Sequence, residues 1–164
     1  MTARAPELRI LVCGTTDRGD DGAAMAAISH VLPELPELLR GRIEIRRCPQ
    51  LDVTDLLDIG VGEAVVIVDT VVGVEPGQIV TISLEDLARR PAGVAPRSSH
   101  ALSVDEALLI AEAVRGSLPA GTFVGIGGRW FGYGERFSRS VKGSLPAFAD
   151  AIRRSIEDLL AVPR

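Results

Sequence analysis

Two aspartates and a histidine, Asp21, Asp69 and His100, are the side chains whose types suit a shared chemistry. Two carboxylates and an imidazole make a mixed oxygen and nitrogen donor set, suited to a borderline divalent metal such as nickel or zinc with coordination positions left open. Each residue also has a plainer reading. Asp20 and Asp21 precede a helical pattern, where an acid caps unpaired amides and complements the helix dipole. Asp17 reads as a turn residue, Asp69 could end its strand as a turn former, and a single loop histidine more often serves as a hydrogen-bonding residue than as a ligand.

The elements that would position these residues follow from hydrophobic patterning. Leu8 to Cys13 is an apolar run stopped by Gly14, and Glu63 to Asp69 is a β-branched run with no polar alternation. Thr122 to Gly127 reads the same way, and such strands are buried on both faces, as in parallel sheets covered by helices. Arg42 to Arg46 and Gln78 to Ser83 complete about five strands; the turn at Glu75, Pro76 and Gly77 makes the latter an antiparallel edge. Helical patterns cover Gly22 to Leu32, Val53 to Ile59, Val104 to Gly116 and Ser144 to Ala161. Ser103 and Glu106 form a capping box that places His100 in the loop ahead of the third helix. The expected fold is a three-layer α/β/α sandwich with a mostly parallel sheet, a single domain over residues 1–164.

In open α/β sheets, ligands bind beyond the carboxyl ends of the strands, where connections diverge to opposite faces. The loop from Gly14 to Gly22, carrying Asp17, Asp20 and Asp21, follows the first strand. Asp69 closes the third, where a continuing core strand would carry another Val or Ile. Both acids then belong to one sheet edge.

Composition removes several function classes. The chain has 164 residues, 46% of them hydrophobic, and a mean hydropathy of +0.24, enough for one well-buried core. No apolar run approaches the roughly 18 residues of a membrane span. Met1 to Glu7 lacks the apolar core of a signal peptide, so a cytoplasmic protein is expected. The formal net charge is -4 with scattered arginines, which gives no footprint for nucleic acid. Cys13 and Cys48 are too few for a disulfide framework or a cysteine-rich zinc site, and both read as inert reduced thiols. The Gly14 to Gly22 loop has neither the dinucleotide glycine spacing nor a P-loop Gly-Lys-Ser/Thr, and its acids would repel a phosphate. Gly125 to Gly128 is read as tight backbone packing rather than a phosphate cradle. His30 falls inside the first helix and reads as structural.

In order along the chain, these features resemble the hydrogenase maturation endopeptidases: a first strand RILVCG, a loop ending in the Asp-Asp-Gly of Asp20 to Gly22, a strand VIVDT with Asp69, SSHALS with His100, a late Val-Gly-Ile at Val124 to Ile126, and a long amphipathic C-terminal helix. In that family the second acid of the loop, the strand-end aspartate and the loop histidine contact the metal, which map onto Asp21, Asp69 and His100. The resemblance implies an α/β/α fold and a protein substrate, the large subunit of a nickel–iron hydrogenase, cut near its C-terminus once nickel is inserted. The nickel is then substrate-borne, held by substrate cysteines, and its presence is the specificity check. Water is the expected nucleophile, since no Ser-His or Cys-His pair with triad logic stands near the site. A monomer meeting the precursor transiently is the default.

Three segments depart from the family pattern. Thr15 to Gly19 is shorter and more polar than the usual loop, Cys48-Pro49-Gln50 replaces a Gly-Gly-Thr after the second strand, and Gly127 to Phe137 replaces a Pro-Glu-Ser type of segment. This last stretch gathers Trp130, Phe131, Tyr133 and Phe137, from a chain with 1 Trp, 1 Tyr and 4 Phe; it reads equally as a protein-contact loop or a core plug. Two other functions remain open at the level of sequence: a non-proteolytic factor that binds nickel or the precursor, and a small-molecule hydrolase using Asp21 and His100 as acid and base.

Overall fold

The computed structural model describes residues 5–90, 97–98 and 102–161. The strands are β1 (Leu8–Cys13), β2 (Ile43–Cys48), β3 (Ala64–Val72), β4 (Ile79–Ser83), the two-residue β5 (Arg97–Ser98) and β6 (Gly121–Gly127). The helices are α1 (Ala23–Glu34), α2 (Glu37–Arg40), α3 (Val53–Leu57), α4 (Leu84–Ala88), α5 (Val104–Arg115) and α6 (Arg139–Ala161). The sheet runs β2-β1-β3-β6-β4, with β5 paired to the far end of β3. The pairs of β1 with β2, β1 with β3 and β3 with β6 are parallel, and β4 runs antiparallel at the edge.

Alternation along the strands sorts the core into two layers. Leu8, Ile10, Val12, Val66, Val68, Val124 and Ile126 pack under α1 and α6. Leu11, Cys13, Val65, Ile67, Val71 and Phe123 pack under α3, α4 and α5. Because the chain leaves β1 into α1 on one face and leaves β3 toward α4 and α5 on the other, the topological switch point falls between these two neighbouring strands. This is the three-layer sandwich expected from the sequence, antiparallel edge included.

Three details differ from the expectation. β3 does not stop at Asp69 but runs on to Val72, because β6 stays paired with it as far as Val71↔Gly127 and β5 pairs Val71 and Val72. α6 begins at Arg139 rather than Ser144, with Pro146 inside it; Pro146 marks a local start, but a distant carboxylate holds the chain end ahead of the helix. The short α2 and α4 and the two-residue β5 carry too little periodicity to be read from pattern alone. No helix among the described residues is long and apolar enough to cross a membrane.

Candidate functional site

Val12 pairs with Val68, so the residue after Val68, Asp69, stands at the level where β1 ends and its loop departs. Asp69 is fully buried. By strand alternation it shares the α5-side face with Val65, Ile67 and Val71. One of its oxygens, Oδ1, accepts from the amide of Thr70 at 2.8 Å.

After β1 the backbone turns at Gly14, whose φ is +101°. A Cβ there would overlap the Asp21 carbonyl and sit 3.0 Å from Asp21 Oδ1, so glycine is required both by its conformation and by the closeness of Asp21. The loop then closes on itself: Asp21 Oδ2 accepts from the Thr15 amide at 2.8 Å and the Thr15 hydroxyl at 3.3 Å. Asp21 is 5% exposed, and no hydrogen bond reaches its other oxygen, Oδ1, among the described residues.

Neither acid of the Asp-Asp-Gly run caps α1 with its side chain. The two neighbours have separate roles. Asp20, fully buried, accepts from the amides of Arg129 and Trp130 at 2.8 and 2.9 Å and from the amide and hydroxyl of Ser138 at 2.7 and 2.8 Å. It therefore tethers the aromatic segment at both ends and holds Ser138 at the start of α6, where the Ser138 hydroxyl accepts from the Val141 amide and amide dipoles favour a nearby negative charge. Its own amide donates to the Trp130 carbonyl, Gly19 donates to Gly134, and Gly134 donates to Asp17, each at 2.8 Å, so the loop after β1 and the aromatic segment are zipped together.

The aromatics of that segment divide between core and surface. Phe137 packs against the α1 and α6 core, and the Phe131 ring lies against Gly128, whereas Trp130 is 42% and Tyr133 77% exposed. The Arg18 guanidinium stacks over the Tyr133 ring at 3.9 Å. An arginine–aromatic rim thus flanks the edge that carries Asp21. The glycines before it do pack tightly: a Cβ at Gly128 would lie 2.7 Å from the Thr70 methyl carbon, and one at Gly127 would overlap the Glu75 carbonyl.

The structure brings Asp21 and Asp69 to one edge, as the switch-point rule requires; His100 lies outside the described residues. β5, whose Ser98 stands two residues before His100 in the sequence, is paired with Val71. Among the described residues no cluster of three or more His, Cys, Asp or Glu side chains could hold a metal. Cys13 and Cys48 are register partners on β1 and β2, both free and buried. The hydrogen bond with Cys48, then burial, then the negative charge of Asp69 push the Cys13 thiol well above its ordinary range, which leaves it protonated and unsuited to attack. His30 is exposed on α1.

What sequence reasoning missed is Asp20 as the tether and Thr70 beside it. The Thr70 hydroxyl donates to the Asp20 carbonyl at 2.7 Å, from the face of β3 opposite Asp69.

No family model matches the chain, and no curated protein matches it by sequence. Solved structures do match. The hydrogenase maturating endopeptidase HybD from E. coli superposes with a TM-score of 0.71 over 93% of each chain at 16% identity. The NiFe hydrogenase maturation protease HycI from Thermococcus kodakarensis KOD1 gives 0.66 over 92% of each chain at 19% identity. HybD from Thermococcus kodakarensis gives 0.61 over 90% of this chain and 97% of that one, at 22% identity. The chain has the fold of the hydrogenase maturation proteases.

Proposed function

We propose that this protein is an endopeptidase that removes the C-terminal extension from the large-subunit precursor of a nickel–iron hydrogenase, and that it recognises nickel carried by that substrate. The observation that carries the reading is the Asp21 carboxylate, buried at the switch point with one oxygen fixed by Thr15 and the other without a hydrogen bond among the described residues. A buried carboxylate oxygen left in this state is costly. A cation delivered by a docking partner would satisfy it. Asp69 on the neighbouring strand supplies a second hard oxygen donor, and His100 is assigned as the third contact, a nitrogen ligand. Three of the structural neighbours are hydrogenase maturation proteases by name, which supports the same substrate class.

On this reading Asp21, Asp69 and His100 hold the metal-bearing end of the precursor so that a nearby peptide bond is presented to water. Water adds to the carbonyl carbon, the carbon–nitrogen bond breaks, and a proton passes to the departing amine. The reading places the protein in the cytoplasm as a monomer that meets its precursor transiently.

The test mixes the purified protein with nickel-loaded and nickel-free precursor and weighs the intact chains by mass spectrometry. Loss of the tail from the loaded precursor alone is expected. Equal processing of both would remove the metal check, binding without a shortened product would leave a non-proteolytic maturation factor, and activity on small esters or amides with no effect on the precursor would favour a general hydrolase.

A further inference from the structure

We infer that Thr70 is a positioning residue that sets the spacing between the two site acids; the inference rests on the proposed processing reaction. Thr70 is fully buried and makes two hydrogen bonds in opposite directions. Its amide donates to Asp69 Oδ1 at 2.8 Å, on the α5 side of the sheet. Its hydroxyl donates to the carbonyl of Asp20 at 2.7 Å, on the α1 and α6 side. Asp20 is covalently joined to Asp21 and is the residue whose carboxylate tethers the aromatic segment.

The path from one acid to the other is therefore short and free of flexible side chains: Asp69 carboxylate, Thr70 amide, Thr70 hydroxyl, Asp20 carbonyl, Asp21. Without the hydroxyl, the loop after β1 would lose a direct hydrogen bond to β3 and keep its ties to the aromatic segment, to Ser138 and, through Gly14, to the Cys48 carbonyl. Two carboxylates that must meet one metal ion need their oxygens held to within a fraction of an ångström, and a short connected path through buried groups provides that.

The rest of the side chain allows the two contributions of Thr70 to be separated. Its methyl carbon lies against Gly128, where no Cβ could be accommodated. Thr70→Val keeps the methyl and the amide but removes the donor to Asp20. Thr70→Ser keeps the donor and loses the methyl. A residue that matters only for packing is served better by valine, and one that positions Asp20 is served better by serine.

The experiment measures processing of nickel-loaded precursor by the full chain, with kcat and KM separated, at a temperature well below each variant's thermal midpoint. Thr70→Val is expected to lose about tenfold to a hundredfold in kcat with KM within about twofold of wild type. Thr70→Ser is expected to stay close to wild type. Wild-type kinetics in Thr70→Val, or a Ser variant as impaired as the Val variant, would overturn the positioning role while leaving the protease reading intact. If Thr70→Val does not fold, Thr70→Ala takes its place; failure of both to fold while Thr70→Ser folds would make the residue structural and end the proposal. If the wild-type chain cuts no precursor, the proposed reaction fails and this inference falls with it.

Discussion

Ser138 gives both its amide and its hydroxyl to the carboxylate of Asp20, at 2.7 and 2.8 Å across 118 positions of sequence. Together with the amides of Arg129 and Trp130, they give a fully buried carboxylate four donors. Asp20→Asn puts a side-chain amide hydrogen where at least one of these donors now points, so it should destabilise the fold by about 3 kcal/mol, the range for a buried charged acceptor that loses its partners. Ser138→Ala removes one donor and should cost about 1 to 2 kcal/mol. Denaturant unfolding of both variants measures the difference; equal stability of Asp20→Asn and wild type would show that the tether is not energetically significant.

Gly14→Ala should damage both stability and site. The φ of +101° disfavours any side chain, and the added Cβ meets the Asp21 carbonyl and carboxylate. The expected cost is about 1 to 3 kcal/mol. Precursor processing should fall further than the folded fraction does, since relief of the clash moves Asp21 itself. Activity that simply tracks the folded fraction would separate Gly14 from the site.

Asp21→Asn, Asp69→Asn and His100→Ala should each slow processing by about a hundredfold or more while leaving the thermal midpoint close to wild type for the two asparagine variants. Asparagine retains an oxygen for the Thr15 and Thr70 donors, so these hydrogen bonds survive while the charge is lost. The assay is the mass of the precursor after incubation. Cleavage near the wild-type rate by all three variants would refute the site.

What could be read from the sequence was whatever rests on local pattern. β1, β3 and β6 are mostly apolar and lack regular polar alternation, so their burial on both faces and their parallel pairing were legible, and the turn before β4 marked it as the antiparallel edge. That Asp21 and Asp69 share one sheet edge was legible because the switch-point rule needs only strand order and the direction of the connections. The role of Asp20 was not legible. Its partners lie 109 to 118 residues away and three of the four are backbone amides, which carry no signature in side-chain type. The start of α6 was misplaced as well: Ser138 caps it locally, accepting from the Val141 amide, but what fixes Ser138 there is the Asp20 carboxylate from another segment. The continuation of β3 past Asp69 rests on pairing with β6 as far as Val71 and with β5, which is two residues long and invisible to any periodicity.

Acid should weaken the N-terminus of α5. Glu106 accepts from the hydroxyl of Ser103 at 2.7 Å and from its amide at 3.1 Å, and these two bonds hold its carboxyl below the ordinary value of 4.5. Glu112 is lowered in the same way by Arg89. A carboxylate whose pKa is depressed by folding contributes stability above its unfolded pKa and loses that contribution as pH falls through the folded value. Glu106→Ala should therefore lower the thermal midpoint at neutral pH, and the gap to wild type should close below the usual carboxylate range. A gap that stays constant down to about pH 3 would show that the carboxylate's charge is not what matters there.

Cys13 separates a water mechanism from a thiol one. It ends β1 beside Asp69, close enough to a site acid to invite the idea of a nucleophile, but it is buried, hydrogen-bonded to Cys48 and held protonated. The nearby carboxylate acts against ionisation, whereas a catalytic thiol needs a cationic neighbour. Two outcomes follow. In the native protein, neither Cys13 nor Cys48 should react with a thiol reagent at neutral pH, and both should react on unfolding. Cys13→Ala should process the nickel-loaded precursor close to the wild-type rate, with only the small loss of stability that comes from removing one buried sulfur. Abolished cleavage in a Cys13→Ala protein that still melts cooperatively would replace water with the thiol as the attacking group. Asp69 would then have to be reassigned, because a negative charge at that position opposes formation of the thiolate.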